Sequence, residues 1–214
     1  MSTRRRFERS AIGAIAVALL IECTTALPSA AQQGPAEIGG GHFAAPDPAE
    51  LAPAAAESIY RELFEQMVGG YRLSDHPAAR NYPRWRRYNG APYRSATHGR
   101  RFVNNYANAT ADAYGRFEAA GPLPPGAVIA KDTFYVGRDG ARFPGALMIM
   151  EKREAGFNAS TGDWRYTMIM PDGSVFGETD GINAEGMVFC VNCHAAAAKN
   201  DHLFFMPPAF RAGR

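Results

Sequence analysis

The chain has 214 residues, 46% hydrophobic and 21% charged, with 23 lysines and arginines against 21 acidic residues. That size and mix suit one globular domain. The near balance of charge leaves no electrostatic footprint for nucleic acid.

Arg4, Arg5, Arg6 and Arg9 precede the apolar run Ala11–Ile21, and Leu27-Pro28-Ser29-Ala30-Ala31 supplies small residues for cleavage. Residues 1–31 are therefore expected to be a secretory signal cut after Ala31, which sends the mature protein to the periplasm. The eleven-residue run is too short to serve as a permanent membrane anchor. Thr3-Arg4-Arg5-Arg6-Phe7 also fits a twin-arginine signal, so the export route stays open. Cleavage removes four arginines and two glutamates, taking the count from 23 and 21 to 19 and 19. Cys23 leaves with the signal, so the mature chain keeps only Cys190 and Cys193.

Residues 32–53 are rich in Ala, Gly and Pro, with Gly39-Gly40-Gly41 at the centre, and read as a flexible leader. His42 within it reads as solvated. The remainder, 54–214, is expected to form a single domain. From Ala54 to Met67 the pattern is helical, with Ile59, Leu63, Phe64 and Met67 on one face and Gly69-Gly70 as the stop. Tyr82-Pro83-Arg84-Trp85-Arg86-Arg87-Tyr88 is aromatic and basic, suited to a surface or to pairing with anionic groups. Phe102–Asn105 and Ala127–Lys131 suit short strands, and Asn108–Ala119 a helix. The Gly121–Gly126 stretch, with Pro122, Pro124 and Pro125, is a break.

The second half reads as β-rich. Ala146–Met150 and Trp164–Met170 are strand-like, separated by Asn158–Gly162, and Pro171-Asp172-Gly173 makes a turn. The methionines in these runs read as core filler. Ala184–His194 is expected to be helical, followed by Ala195–Ala198 and a covering segment from Asp201 to Phe205. Helices at both ends around hairpin-linked strands indicate an α+β fold.

The chemistry concentrates in Cys190-Val191-Asn192-Cys193-His194. Two cysteines three apart followed by histidine form the attachment signature of a c-type haem. The spacing lets two thiols reach the two vinyl groups of one porphyrin while the adjacent imidazole falls beneath the iron. Zinc is the competing reading of Cys190, Cys193, His194 and His202, but no second CxxC or HxxxH closes a tetrahedral site. A thioredoxin-like pair would need a βαβ setting that the sequence lacks.

His98-Gly99 with Val103-Asn104, Pro125-Gly126-Ala127-Val128-Ile129-Ala130-Lys131, Met150-Glu151-Lys152, Gly162-Asp163-Trp164 and the single late CVNCH followed by Asp201 and Phe204 together resemble the cytochrome P-460 family, which includes the cytochromes c′-beta. The resemblance covers roughly residues 59–205. It implies an antiparallel β-sheet with flanking helices and a C-terminal haem-attachment helix. It also implies a homodimer carrying one covalent haem c per chain, with His194 as sole protein ligand to the iron.

The family's chemistry divides on two residues. Cytochrome P-460 proper carries a bond from a lysine amine to the porphyrin and oxidises hydroxylamine, passing electrons to an exported carrier protein, with nitric and nitrous oxide chemistry alongside. Cytochromes c′-beta lack the bond and bind nitric oxide in an apolar pocket. Of the three lysines, the resemblance puts Lys131 at the cross-linking position, whereas its position alone suits a strand-end lysine reaching solvent. Glu185 matches the family's carboxylate ahead of the haem motif, a candidate general base; its other reading is an acid favoured by a helix N-terminus, with Asn183 as cap. Phe134 and Tyr135 are expected to wall the pocket. A plain electron carrier would instead need Met187 or Met206 as sixth ligand. His98 and His202 read as structural hydrogen-bonding residues.

Overall fold

The computed structural model describes residues 47–213. The expected signal and the leader up to residue 46, His42 included, lie outside them. Three α-helices and eight strands follow in chain order: α1 Pro53–Tyr71, α2 Pro77–Asn81, β1 Arg86–Arg87, β2 Tyr93–Arg94, β3 Phe102–Ala107, β4 Val128–Val136, β5 Arg142–Pro144, β6 Leu147–Lys152, β7 Trp164–Ile169, β8 Val175–Glu178 and α3 Val188–Ala195. The expected α+β class, with an antiparallel sheet, flanking helices and a C-terminal helix carrying CVNCH, is what the chain forms.

α1 starts on Pro53, whose fixed φ suits the first helical position. It buries Ile59, Tyr60, Leu63, Met67 and Tyr71 along one face. The helix ends at Tyr71, one residue past the expected stop at Gly69-Gly70. The helix runs through both glycines because tertiary contacts hold its last turn: the Tyr71 hydroxyl donates to the Gly145 carbonyl at 2.7 Å. A Cβ on Gly70 would stand 1.9 Å from the Pro171 carbonyl oxygen. Ahead of α1 the chain is already tied to the sheet, with Ala49 N–H donating to the Val136 carbonyl at 2.8 Å. The leader's last residues therefore belong to the domain.

The sheet order is β1-β3-β4-β6-β7-β8, with β2 on β3 and β5 on β4. Its pairings are antiparallel, and the register decides what meets across it. Asn105 pairs with Lys131, Lys131 with Met148, and Met148 with Met168. The next row on that face runs Ala107, Ile129, Met150, Tyr166. Side chains alternate between faces with period two. Phe102, Tyr106, Ala130, Phe134, Leu147 and Ile149 therefore fall on the opposite face, where they pack against α1.

This alternation corrects one expectation. Phe134 is fully buried on the α1 side, stacked on Phe102 with ring centroids 5.4 Å apart. Tyr135 lies beyond the pocket at the strand end, stacked on Phe143. Neither walls the site.

The expected helix over Asn108–Ala119 is instead a series of 3₁₀ turns. Asn108 does cap it, accepting from Ala111 N–H at 3.0 Å, but Phe117 takes φ 53° and ψ −125° and breaks the run. Likewise Ala184–His194 is a 3₁₀ turn, Ala184–Met187, leading into α3. Asn183 does not cap that turn; its side chain donates to the Phe176 carbonyl at 2.9 Å. Among the described residues no helix is long and apolar enough to cross a membrane.

Candidate functional site

α3 lies over the methionine-bearing face of the sheet. Cys190, Cys193 and His194 fall at i, i+3 and i+4, so they share one side of the helix. His194 is buried, Cys190 half-buried and Cys193 exposed, and both thiols are free. The Nδ1 atom of His194 stands 2.7 Å from the His202 carbonyl. A carbonyl only accepts, so Nδ1 carries the proton and Nε2 keeps a bare lone pair.

The carbonyl is aimed by backbone geometry. Asp201 and His202 take φ 56° and 60°, two consecutive left-handed residues. Such a turn is held from outside: the Asp201 carbonyl accepts from Trp164 Nε1 at 2.8 Å, and its carboxylate accepts from Leu123 N–H at 2.9 Å and Lys152 Nζ at 2.5 Å. The Gly-Asp-Trp and Glu-Lys pieces of the sequence thus support the histidine through one aspartate.

Between α3, the sheet and the loop around His98 lies a pocket of about 940 Å³, open mouth included. Ile129, Met148, Met150, Met168, Met187, Phe189 and Phe204 make its apolar walls. Lys131, His98, Thr97, Tyr166 and Thr167 are its polar residues, with His194. Among the described residues no Asp or Glu lines it.

Lys131 does not reach solvent. It is 8% exposed and, among the described residues, its side chain makes no hydrogen bond or ion pair. Burial pushes its ammonium down to about 8, opposed by the nearby Cys193 sulfur. Burial, and then the charge of Lys131, also takes the His194 imidazole down to about 4, so that it is neutral at physiological pH.

Four of the five residues expected at the site therefore meet here: Cys190, Cys193, His194 and Lys131 all line one pocket. Glu185 does not. It is exposed on the 3₁₀ turn that sends Met187, two residues on, into the pocket. The arginines of the Tyr82–Tyr88 stretch are also committed elsewhere, Arg87 to Glu57 at 2.6 Å and Arg86 to Asp112 at 3.4 Å. Met187 lines the pocket and Met206 does not. His202 serves through its main-chain carbonyl, its ring packed against Gly162.

Sequence reasoning misses His98 as a pocket residue. Its ring centroid is 6.5 Å from that of His194. The row of Met148, Met150 and Met168, expected as core filler, forms a wall of the pocket.

The donor set fits a covalently attached haem. Two thiols and a bare imidazole nitrogen share one helix face, the walls are apolar, and the buried Tyr166 hydroxyl has no partner among the described residues. A zinc site fits worse, since among the described residues no three His, Cys, Asp or Glu side chains converge.

A sequence model described as Cytochrome P460 matches residues 79–205, more than half of the chain. The chain belongs to the cytochrome P-460 family. The matched span takes in all eight strands and α3, so the whole methionine face and its histidine lie within it. Membership makes the chain a haem cytochrome. No curated protein matches the chain.

Proposed function

We propose that this P-460 family member is an exported, periplasmic mono-haem c-type cytochrome that oxidises hydroxylamine, with Lys131 as the amine that cross-links to the porphyrin. Burial of Lys131, unpaired in the haem pocket, carries the reading. An ammonium shifted to about 8 leaves an appreciable neutral fraction at neutral pH, and the neutral amine is the nucleophile a cross-link needs; the new N–C bond replaces one N–H and one porphyrin C–H bond, and the two electrons go to an oxidant of the peroxide class. The haem, when bound, supplies an iron with one open coordination position and the means to pass electrons from hydroxylamine to an exported carrier protein.

The chain's own residues hold and shield that centre. The Cys190 and Cys193 thiols anchor it, and His194 offers Nε2 in the tautomer set by the His202 carbonyl. The methionine and phenylalanine walls exclude water. The family resemblance adds a homodimer as the working assembly.

One observation favours a second reading, a nitric oxide binding protein of the c′-beta kind. The pocket is apolar and carboxylate-free, and exposed Glu185 is not placed to accept protons from a substrate.

The deciding experiment is the ferrous absorption spectrum of the mature protein, with denaturing mass spectrometry, on the parent and on Lys131→Arg. A red-shifted ferrous Soret band and an extra covalent attachment, both lost in the variant, are expected. An ordinary high-spin c-type spectrum, unchanged by the substitution, would leave nitric oxide binding as the function.

A further inference from the structure

Two histidines face this pocket, and their Nδ1 atoms meet opposite chemistry. His194 Nδ1 meets a carbonyl, which can only accept. His98 Nδ1 meets the hydroxyl of Ser95 at 3.0 Å and that of Thr97 at 3.2 Å. The Ser95 oxygen already accepts two main-chain N–H groups, from Thr97 at 3.3 Å and from His98 at 3.1 Å. A hydroxyl has two acceptor lone pairs and one hydrogen. With both lone pairs taken, the Ser95 hydrogen is left to donate, and His98 Nδ1 at 3.0 Å is the nearer acceptor, the Thr97 hydroxyl standing off at 3.5 Å. A neutral imidazole that accepts at Nδ1 carries its proton on Nε2.

We propose that His98, through Nε2–H, is the hydrogen-bond donor to the oxygen atom of the small nitrogen ligand held in this pocket. The assignment rests on the open-site reading given above and adds to it a ligand-binding residue. Hydroxylamine and nitric oxide both carry an oxygen beyond the nitrogen that meets the metal, and each presents it as an acceptor. Apart from the two hydroxyls at Nδ1, His98 has no side-chain hydrogen bond among the described residues, so Nε2 is uncommitted. The loop suits this role, because Gly99 and Arg100 follow at φ 66° and 55° and turn the chain away immediately after the ring.

The same geometry separates two jobs that a histidine performs in a haem pocket. His194 offers a lone pair because its outer nitrogen donates. His98 offers a hydrogen because its outer nitrogen accepts. Ser95 is thus a positioning residue, and its removal should act through His98.

The test uses the haem-loaded protein, with nitric oxide as the probe and two readouts: the ferric spin state by electron paramagnetic resonance, and nitric oxide dissociation from the ferrous form. The parent is expected to be high-spin. His98→Leu should release nitric oxide about 3- to 10-fold faster, the worth of one neutral hydrogen bond. His98→Gln, which keeps an N–H, should restore most of the slow release. Ser95→Ala should give a smaller acceleration with His98 still present.

A high-spin protein whose nitric oxide release is the same in parent and His98→Leu would overturn the donor assignment and leave the open-site reading standing. A low-spin parent that turns high-spin in His98→Leu would make His98 an iron ligand and overturn both.

Discussion

Lys131 and Asp132 are neighbours in sequence, and on a surface they would make an ordinary solvated pair. The pleat sends them to opposite faces of β4, where each is buried without the other. Burial disfavours whichever form is charged, so the lysine is pushed down and the aspartate up. Asp132 sits on the α1 side, accepting from the Tyr60 hydroxyl at 2.6 Å and from Asn104 Nδ2 at 2.9 Å. Even with those two donors, burial dominates and takes its carboxyl up to about 6. The sign of the linkage follows. A carboxyl raised above its unfolded value of about 3.9 binds more protons when folded, so its contribution is full below about pH 4 and is lost as pH rises to about 6. Asp132→Asn should remove that slope, the stability difference from the parent changing by about 3 kcal/mol across the window and staying flat above it. Urea midpoints between pH 4 and 7 measure it; parallel profiles for the two proteins would show that Asp132 ionises freely in the fold.

At the scale of elements, the glycine pair in α1 shows what local pattern misses. Glycine is the poorest helix former after proline, and two in a row read as a stop. The helix ends one residue beyond them, and packing treats the two residues differently. A Cβ on Gly69 meets nothing within 4 Å, whereas one on Gly70 meets the Pro171 carbonyl of the β7–β8 turn at 1.9 Å. Gly69→Ala should therefore stabilise the protein by about 1 kcal/mol through helix propensity. Gly70→Ala should destabilise it by roughly 1–3 kcal/mol, because α1 must lift off the turn. Thermal unfolding of both variants decides it, and equal shifts would show that α1 is not seated on Pro171.

The same division governs what the sequence revealed. β6 and β7 were legible because six residues show their composition and period, and CVNCH because its chemistry is local. β1, β2 and β5, at two or three residues each, have no period to read. The place of His98 in the pocket was hidden for a related reason. Its pocket exists only once Lys131, Met148 and Met168 are brought side by side by the register of three strands, and no spacing along the chain encodes that. Glu185 is the reverse case, a residue at a suggestive sequence distance from CVNCH that is exposed on the 3₁₀ turn and does not line the pocket.

The described residues form one sheet with two cores of unequal completeness. The α1 side is closed by its own side chains: Met67, Tyr71, Phe134, Leu147 and Ile149 are each at most 1% exposed. On the α3 side Met168 and Met187 are as well buried, yet they line a pocket of about 940 Å³, open mouth included, with apolar walls. A core with such a gap relies on its cofactor as packing material. The double variant Cys190→Ser, Cys193→Ser, which loses the covalent anchor, should therefore be far less stable than the haem-loaded parent. Leaving several apolar side chains partly unpacked costs on the order of 5 kcal/mol, and at 2–4 °C per kcal/mol for a domain of this size the melting temperature should fall by roughly 10–20 °C. The loss should also be uneven. Hydrogen exchange should rise in α3 and in the Ala197–Met206 segment, which hold their place through the pocket, while α1, β3 and β4 keep their protection. A drop of only a degree or two, with uniform exchange, would mean that the α3 side closes without the haem and that the cofactor is a passenger in the fold.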